Sequence, residues 1–95
     1  MECRSIRFSR HAFERMFERA VSPGAVGRIL AQGETIAYYP EDRPYPSTFL
    51  LGYDEAGPIH VVAARDMATG ICYVITVYRP DPALWSADFR TRRRR

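Results

Sequence analysis

The chain has 95 residues, 46% hydrophobic and 13% aromatic, which is enough apolar side chain for one small packed domain and too little length for two. Its formal net charge of +3 comes from 14 arginines, with no lysine, against 11 acids; without Arg90, Arg92, Arg93, Arg94 and Arg95 the remaining nine arginines are outnumbered. A globally basic nucleic-acid domain is thereby excluded, and any anion site must come from local clustering or from the arginine tail.

No apolar run approaches the ~18 residues of a membrane span, and the first residues lack a basic-then-apolar leader, so a cytoplasmic protein with no membrane partner is expected. Cys3 and Cys72 lie far apart and outside any Cys-x-x-Cys spacing, which reads as two reduced thiols, with Cys72 filling the core from a strand. The absence of lysine reflects either codon bias or a preference for planar two-point contacts to phosphate.

Residues 2 to 8 alternate Arg4, Ile6 and Phe8 around Cys3, Ser5 and Arg7, as a short edge strand or an extended lead-in would. Ser9 then caps a helix that runs to Arg19, in which Phe13, Met16, Phe17 and Ala20 follow the spacing of one buried face. His11, Arg15 and Glu18 fall on the opposite side, with Arg19 on its flank. Arg15 and Arg19 set like charges four residues apart, an arrangement that an anion would relieve.

A second helix follows almost at once. Ser22 is its N-cap, Pro23 its first helical residue, Val26, Ile29 and Leu30 its apolar face, and Gly33 the left-handed residue at its end. Thr35 to Tyr39 is a strand, and the proline-stiffened loop from Pro40 to Ser47 holds Tyr45, either for base stacking or against the sheet edge. Strands are expected at Thr48 to Tyr53, Ile59 to Asp66 and Ile71 to Tyr78, the last two joined through Met67 to Gly70. That hairpin places Ala64 opposite Tyr73, Val62 opposite Ile75 and His60 opposite Val77, all beneath the helices. Arg65, Thr76 and Tyr78 then lie on the open side. Asp81 to Trp85 forms a helical turn that tucks Leu84 and Trp85 onto the core rim. The expected architecture is α+β: two N-terminal helices packed on one face of an antiparallel meander of about four strands, a single domain over residues 1 to 89 with a disordered arginine tail from 90 to 95.

Two histidines distant in sequence make no preorganised metal set, neither cysteine has a base beside it, and no glycine-rich phosphate loop is present. Metal-free acid–base chemistry remains, and with it no cofactor. Cleavage of RNA by its own 2′-hydroxyl needs a base, an acid and a cation for the charged phosphorane. An imidazole exchanges protons near neutral pH, so His11 can serve as acid or base beside Arg15 and Arg19, with Tyr78 or His60 as its partner. His60 can equally be a satisfied core histidine.

The ordered set His-Ala-Phe-Glu-Arg-Met-Phe-Glu-Arg, then Ser-Pro, Tyr-Pro-x-x-x-Pro-Tyr-Pro, Ile-His-Val-Val and Ile-Thr-Val-Tyr-Arg-Pro-Asp-Pro-x-x-Trp spans residues 9 to 85. It resembles a bacterial family of small proteins of unknown function often encoded beside zinc-finger antitoxins of the MqsA type. In its helix-then-sheet plan that family is similar to the RelE, MqsR and BrnT ribonuclease toxins, with a two-layer fold of the RelE and barnase kind. The resemblance implies the toxin of a type II pair: a metal-independent endoribonuclease that cleaves messenger RNA, on the ribosome in some members, and is neutralised by a protein antitoxin of zinc-finger or helix-turn-helix type. It implies roles for His11, Arg15, Arg19, His60, Thr76 and Tyr78; together with the residue reading, which adds Tyr45 and Arg65, the expected catalytic residues are His11, Arg15, His60 and Tyr78, and the expected RNA contacts Arg19, Tyr45, Arg65 and Thr76. The lysine-free, slightly acidic body departs from the basic concave face usual in the RelE group. Two alternatives stand beside this reading. One is a non-enzymatic module that binds a protein through an apolar sheet face and an exposed Trp85; the other is nucleic-acid binding through the arginine tail.

Overall fold

A computed structural model describes residues 1–94. In chain order the elements are β1 (Ser5–Phe8), α1 (Arg10–Glu18), α2 (Pro23–Gln32), β2 (Glu34–Tyr39), β3 (Ser47–Asp54), β4 (Gly57–Arg65) and β5 (Ile71–Tyr78). The two helices and a single sheet make the expected α+β class, but the sheet has five strands in the order β1-β5-β4-β3-β2 and is mixed rather than an antiparallel meander of four. β1 lies parallel to β5, from Ser5 beside Ile71 to Phe8 beside Val74, while the other neighbours are antiparallel. Four residues are too few for a period to declare a strand, and their backbone partners lie more than sixty positions away.

That parallel pairing also brings the cysteines together. Cys3 and Cys72 form a disulfide with Cα atoms 5.5 Å apart, not the two reduced thiols expected from their spacing. It ties the segment before β1 to β5 across 69 residues.

Both helix starts follow the sequence. The Ser9 hydroxyl oxygen accepts the Ala12 N–H at 3.0 Å, and the Ser22 hydroxyl oxygen accepts that of Ala25 at 3.0 Å with Pro23 opening the helix. α2 buries Ala25, Val26, Ile29 and Leu30 over β3 and β4, each larger side chain contributing about 1.5–3 kcal/mol by leaving water. Gly52 of β3 lets α2 lie this close, because a Cβ there would collide with Ile29. Gly33 is needed for space and not for handedness. Its φ is −67°, in the extended region, but an added Cβ would sit 2.5 Å from the Ile29 carbonyl oxygen.

α1 packs on β5 with a different stripe from the one its spacing suggests. Ala12 and Met16 are buried, whereas Phe13 is 58% and Phe17 87% exposed. α1 begins directly after β1 at the sheet edge, and that junction turns the Ala12–Met16 line inward.

The face of β4 beneath the helices is also the reverse of the one expected. Ile59, Val61 and Ala63, with Leu50, Val74 and Val77, form the core under α1 and α2, and His60 lies on the other side. Ala64 does stand opposite Tyr73, but Ile75 is an extra residue in β5, so Val62 faces Thr76 and His60 faces Tyr78. The reversal has a physical source: residues after β5 fold back over the second face, so β4 is buried on both sides and its apolar run loses the alternation that would tell one face from the other.

Candidate functional site

α1 is fastened at both ends, to β5 at its start and to Arg79, the residue after β5, at its end, and this fixes where its polar side chains stand. At its start the Ser9 N–H donates to the Val74 carbonyl at 3.1 Å and the Ser9 hydroxyl to the Ile75 carbonyl at 3.0 Å. At its end Arg79 donates through Nε to the Arg19 carbonyl at 3.3 Å, and through Nη1 and Nη2 to the two Asp54 carboxylate oxygens at 3.0 and 2.8 Å. Hydrogen bonds from Arg79 hold the Asp54 carboxyl below the usual carboxylate range and hold the guanidinium above its own. Arg79 and Asp54 were not singled out in the sequence; the pair joins residues 25 positions apart, and only the path of the sheet reveals it.

With α1 so placed, exposed His11 reaches the sheet edge, where its Nε2 lies 3.2 Å from Thr76 Oγ1. Arg15 follows one turn on, about 6 Å along the helix axis on the same side, partly exposed and 3.3 Å from the Glu18 carboxylate. Arg19 stands at the far end of α1, about 12 Å from His11 along the axis, in a cleft with Arg28 and Arg79. Arg65 is farther still, at the Cys72 end of the sheet. There its Nε donates to the Glu2 carbonyl at 2.6 Å. His11 and Thr76 thus meet, with Arg15 one helical turn along and paired with Glu18, whereas Arg19 and Arg65 lie apart from them.

His60 and Tyr78 form a separate pair. His60 is fully buried, its ring 4.9 Å from that of Phe49, 5.2 Å from Tyr78 and 4.5 Å from Trp85, all near-perpendicular. Its Nε2 lies 2.7 Å from the Phe89 carbonyl and its Nδ1 lies 3.1 Å from the Tyr78 hydroxyl. A carbonyl only accepts, so Nε2 carries the proton, and the Tyr78 hydroxyl donates to Nδ1. Burial pushes the His60 pKa down, with the Phe89 carbonyl opposing it, and burial pushes the Tyr78 phenol up against the pull of Arg92.

The lid over this pair is the segment after β5. Trp85 is only 7% exposed, so it is not the free contact surface that a protein-binding module was expected to offer. Of the residues expected to trail as a free arginine tail, Arg90 meets Glu34 at 2.8 Å, Arg92 lies 5.6 Å from the centre of the Trp85 ring, and the Arg93 N–H donates to the Leu84 carbonyl at 2.8 Å. Arg95 lies outside the described residues.

Tyr45 stacks on Tyr73, ring centres 5.5 Å apart and planes 11° from parallel, beside a cleft that Ile75 also lines. The Asp66 carboxylate nearby raises the Tyr45 phenol, chiefly by its charge, so that the hydroxyl stays neutral. The ring therefore packs on the sheet, against Tyr73, and borders an open cleft.

A two-layer α+β domain with one exposed histidine at a helix–strand junction and one sealed beneath a C-terminal strap is the class that this geometry defines. Residues 8–79 match the family described as "Domain of unknown function (DUF4258)", and the chain belongs to that family. No curated protein and no solved structure matches it. Among the described residues, no helix is long and apolar enough to cross a membrane.

Proposed function

We propose that the protein is a metal-independent endoribonuclease acting on single-stranded RNA, and the toxin of a type II pair neutralised by a protein antitoxin. The observation that carries this reading is the 3.2 Å contact between His11 Nε2 and Thr76 Oγ1 on an open edge, with Arg15 one turn away. When Nε2–H donates to the Thr76 hydroxyl, Nδ1 is left as the lone pair that takes the 2′-hydroxyl proton. The 2′-oxygen then attacks phosphorus and the bond to the 5′-oxygen breaks; the leaving 5′-oxygen takes a proton from water, the resulting hydroxide is neutralised by the proton held on His11, and a 2′,3′-cyclic phosphate remains on the upstream fragment. Arg15 holds the charge of the phosphorane. Tyr78 donates to His60 and His60 to the strap, so the two shape and stiffen the sheet beside the site and do not exchange protons with substrate. The helix-then-sheet plan is compatible with the ribonuclease toxins named above.

The test is purified protein on a single-stranded RNA in the presence of a chelator. Fragments ending in cyclic phosphate, lost on His11→Ala and restored by an added copy of the native chain, support the reading. Intact RNA with the native protein sinks it.

A second reading has its own observation. Phe13 and Phe17 stand exposed four residues apart on α1, one helix face that a protein partner would cover. On the toxin reading this is where an antitoxin docks next to His11. On the non-enzymatic reading it is the whole function, and a complex would form without RNA turnover.

A further inference from the structure

We propose that the cleft beside the stacked Tyr45 and Tyr73 is a nucleobase pocket that selects guanine; the choice of a nucleotide as ligand rests on the RNA reading above. The cleft measures about 370 Å³ and is walled by both tyrosines, Ile75, Ala64, Asp42 and Arg43. That volume is at the small end of ligand sites and suits one base with its sugar. The tyrosine rings lie nearly parallel, 11° apart, so Tyr45 presents a rigid aromatic face already backed by Tyr73. A base stacking there adds a third layer to an existing pile. Ala64 keeps the floor shallow, and Ile75, the extra residue of the β5 bulge, gives an apolar side wall turned out from the sheet.

Asp42 supplies the choice among bases. The Ser47 hydroxyl, itself buried, donates to Asp42 Oδ2 and anchors the carboxylate in the cleft wall. Oδ1 and the second lone pair of Oδ2 remain as neighbouring acceptors. Guanine is the base whose pairing edge offers two adjacent donors, N1–H and the N2 amino group, to match a carboxylate. Adenine and cytosine set an acceptor next to their amino donor, which the carboxylate repels, and uracil flanks its single N–H with carbonyls. Arg43 in the same wall gives a cation for the attached phosphate. The cleft also adjoins the proposed chemistry: Ile75 lines it, its carbonyl accepts from Ser9, and the next residue, Thr76, holds His11. A guanine seated here brings its phosphate toward His11, so this pocket sets the base beside which the chain is cut.

The experiment is titration of the full chain with GMP, AMP, CMP and UMP, followed by tyrosine fluorescence and by nuclear magnetic resonance. GMP should saturate and bind about tenfold more tightly than the others. Tyr45→Ala should weaken it about tenfold or more, while Tyr45→Phe, which keeps the stack, should not. Asp42→Asn should leave weak binding of all four and erase the preference, because the amide no longer matches two donors. Equal affinity for all four nucleotides, or tight GMP binding in Tyr45→Ala, overturns the proposal. Should a variant lose its native spectrum, the native chain decides: GMP must shift the Tyr45 and Tyr73 signals, and shifts confined elsewhere reject the pocket. Guanine selectivity without RNA cleavage would reject the nuclease and keep the pocket; His11-dependent cleavage without GMP binding would do the reverse.

Discussion

His11 and His60 are the same side chain, each bonded to a hydroxyl of β5, at Thr76 and at Tyr78 two residues on, yet they are suited to opposite tasks. His60 has a partner on both nitrogens and rings on three sides, and water cannot reach it. His11 has one partner and stands in solvent at a helix start. Proton exchange with a substrate needs a free nitrogen and an open approach, which only His11 has. His60 instead locks the C-terminal strap to the sheet, since its Nε2–H is the bond that holds the Phe89 carbonyl down.

The sharpest way to break that contrast is to remove each imidazole in turn. His60→Ala leaves a void among Phe49, Tyr78 and Trp85 and strips the partner from the Tyr78 hydroxyl and the Phe89 carbonyl. Loss of a buried ring of this kind costs about 3–5 kcal/mol, which urea unfolding would read. A loss under 1 kcal/mol would mean that the ring is not part of the core. His11→Ala should do the opposite, lowering RNA cleavage about a hundredfold or more while leaving the urea midpoint almost unmoved. A large fall in stability there would place His11 among the structural residues with His60.

Removing the strap should turn one environment into the other. Truncation after Arg79 deletes Trp85, a large ring that closes the His60 box, and the Phe89 carbonyl with it. The expected cost is about 2 kcal/mol from lost apolar burial. The imidazole resonances of His60 should then titrate nearer the ordinary histidine value. Unchanged resonances would show that the strap does not seal this residue.

How far the sequence could anticipate this contrast follows from where each constraint is local. Ser9, Ser22 and Pro23 act on atoms within three residues, and both helix starts stand where those residues put them. The Ala64–Tyr73 pairing follows from its own hairpin. The bulge at Ile75, the disulfide and the β1–β5 pair depend on neighbours that no local period encodes. The reversed face of His60 has the same origin: the strap that buries it arrives twenty or more residues later, and Val61, Val62 and Ala63 are apolar on either side. Phe13 and Phe17 differ for another reason: their spacing is that of a buried face, but the junction with β1 turns the Ala12–Met16 line inward and leaves both rings exposed. For the candidate site, His11 and Arg15 were legible as chemistry and Thr76 through the family resemblance, but the contact of His11 with Thr76 was not, because it depends on the Ser9 bridge to β5.

The smallest expected effect is the one that reads His60 through pH. Burial lowers its pKa in the fold, so the native chain keeps it neutral where the unfolded chain, near the ordinary value of about 6.5, begins to take up a proton. Above that value neither state binds the proton, and the contribution of this group to stability is fully present. As pH falls below it the unfolded chain gains protons that the native chain refuses, so stability drops, by at most about 1.4 kcal/mol per pH unit for one group, until His60 protonates in the fold as well. The lowered carboxyls of Asp54 and Asp66 lose their contributions only at more acidic pH, so the histidine window stands apart. Urea unfolding at pH 7.5, 6.5 and 5.5 should show the decline in the native chain and in His11→Ala alike. His60→Gln, which keeps polar atoms in the box but has no proton to gain, should be flat between the two lower values. A decline that survives His60→Gln would assign the pH dependence to another group and remove the sealed, neutral imidazole from one side of the comparison.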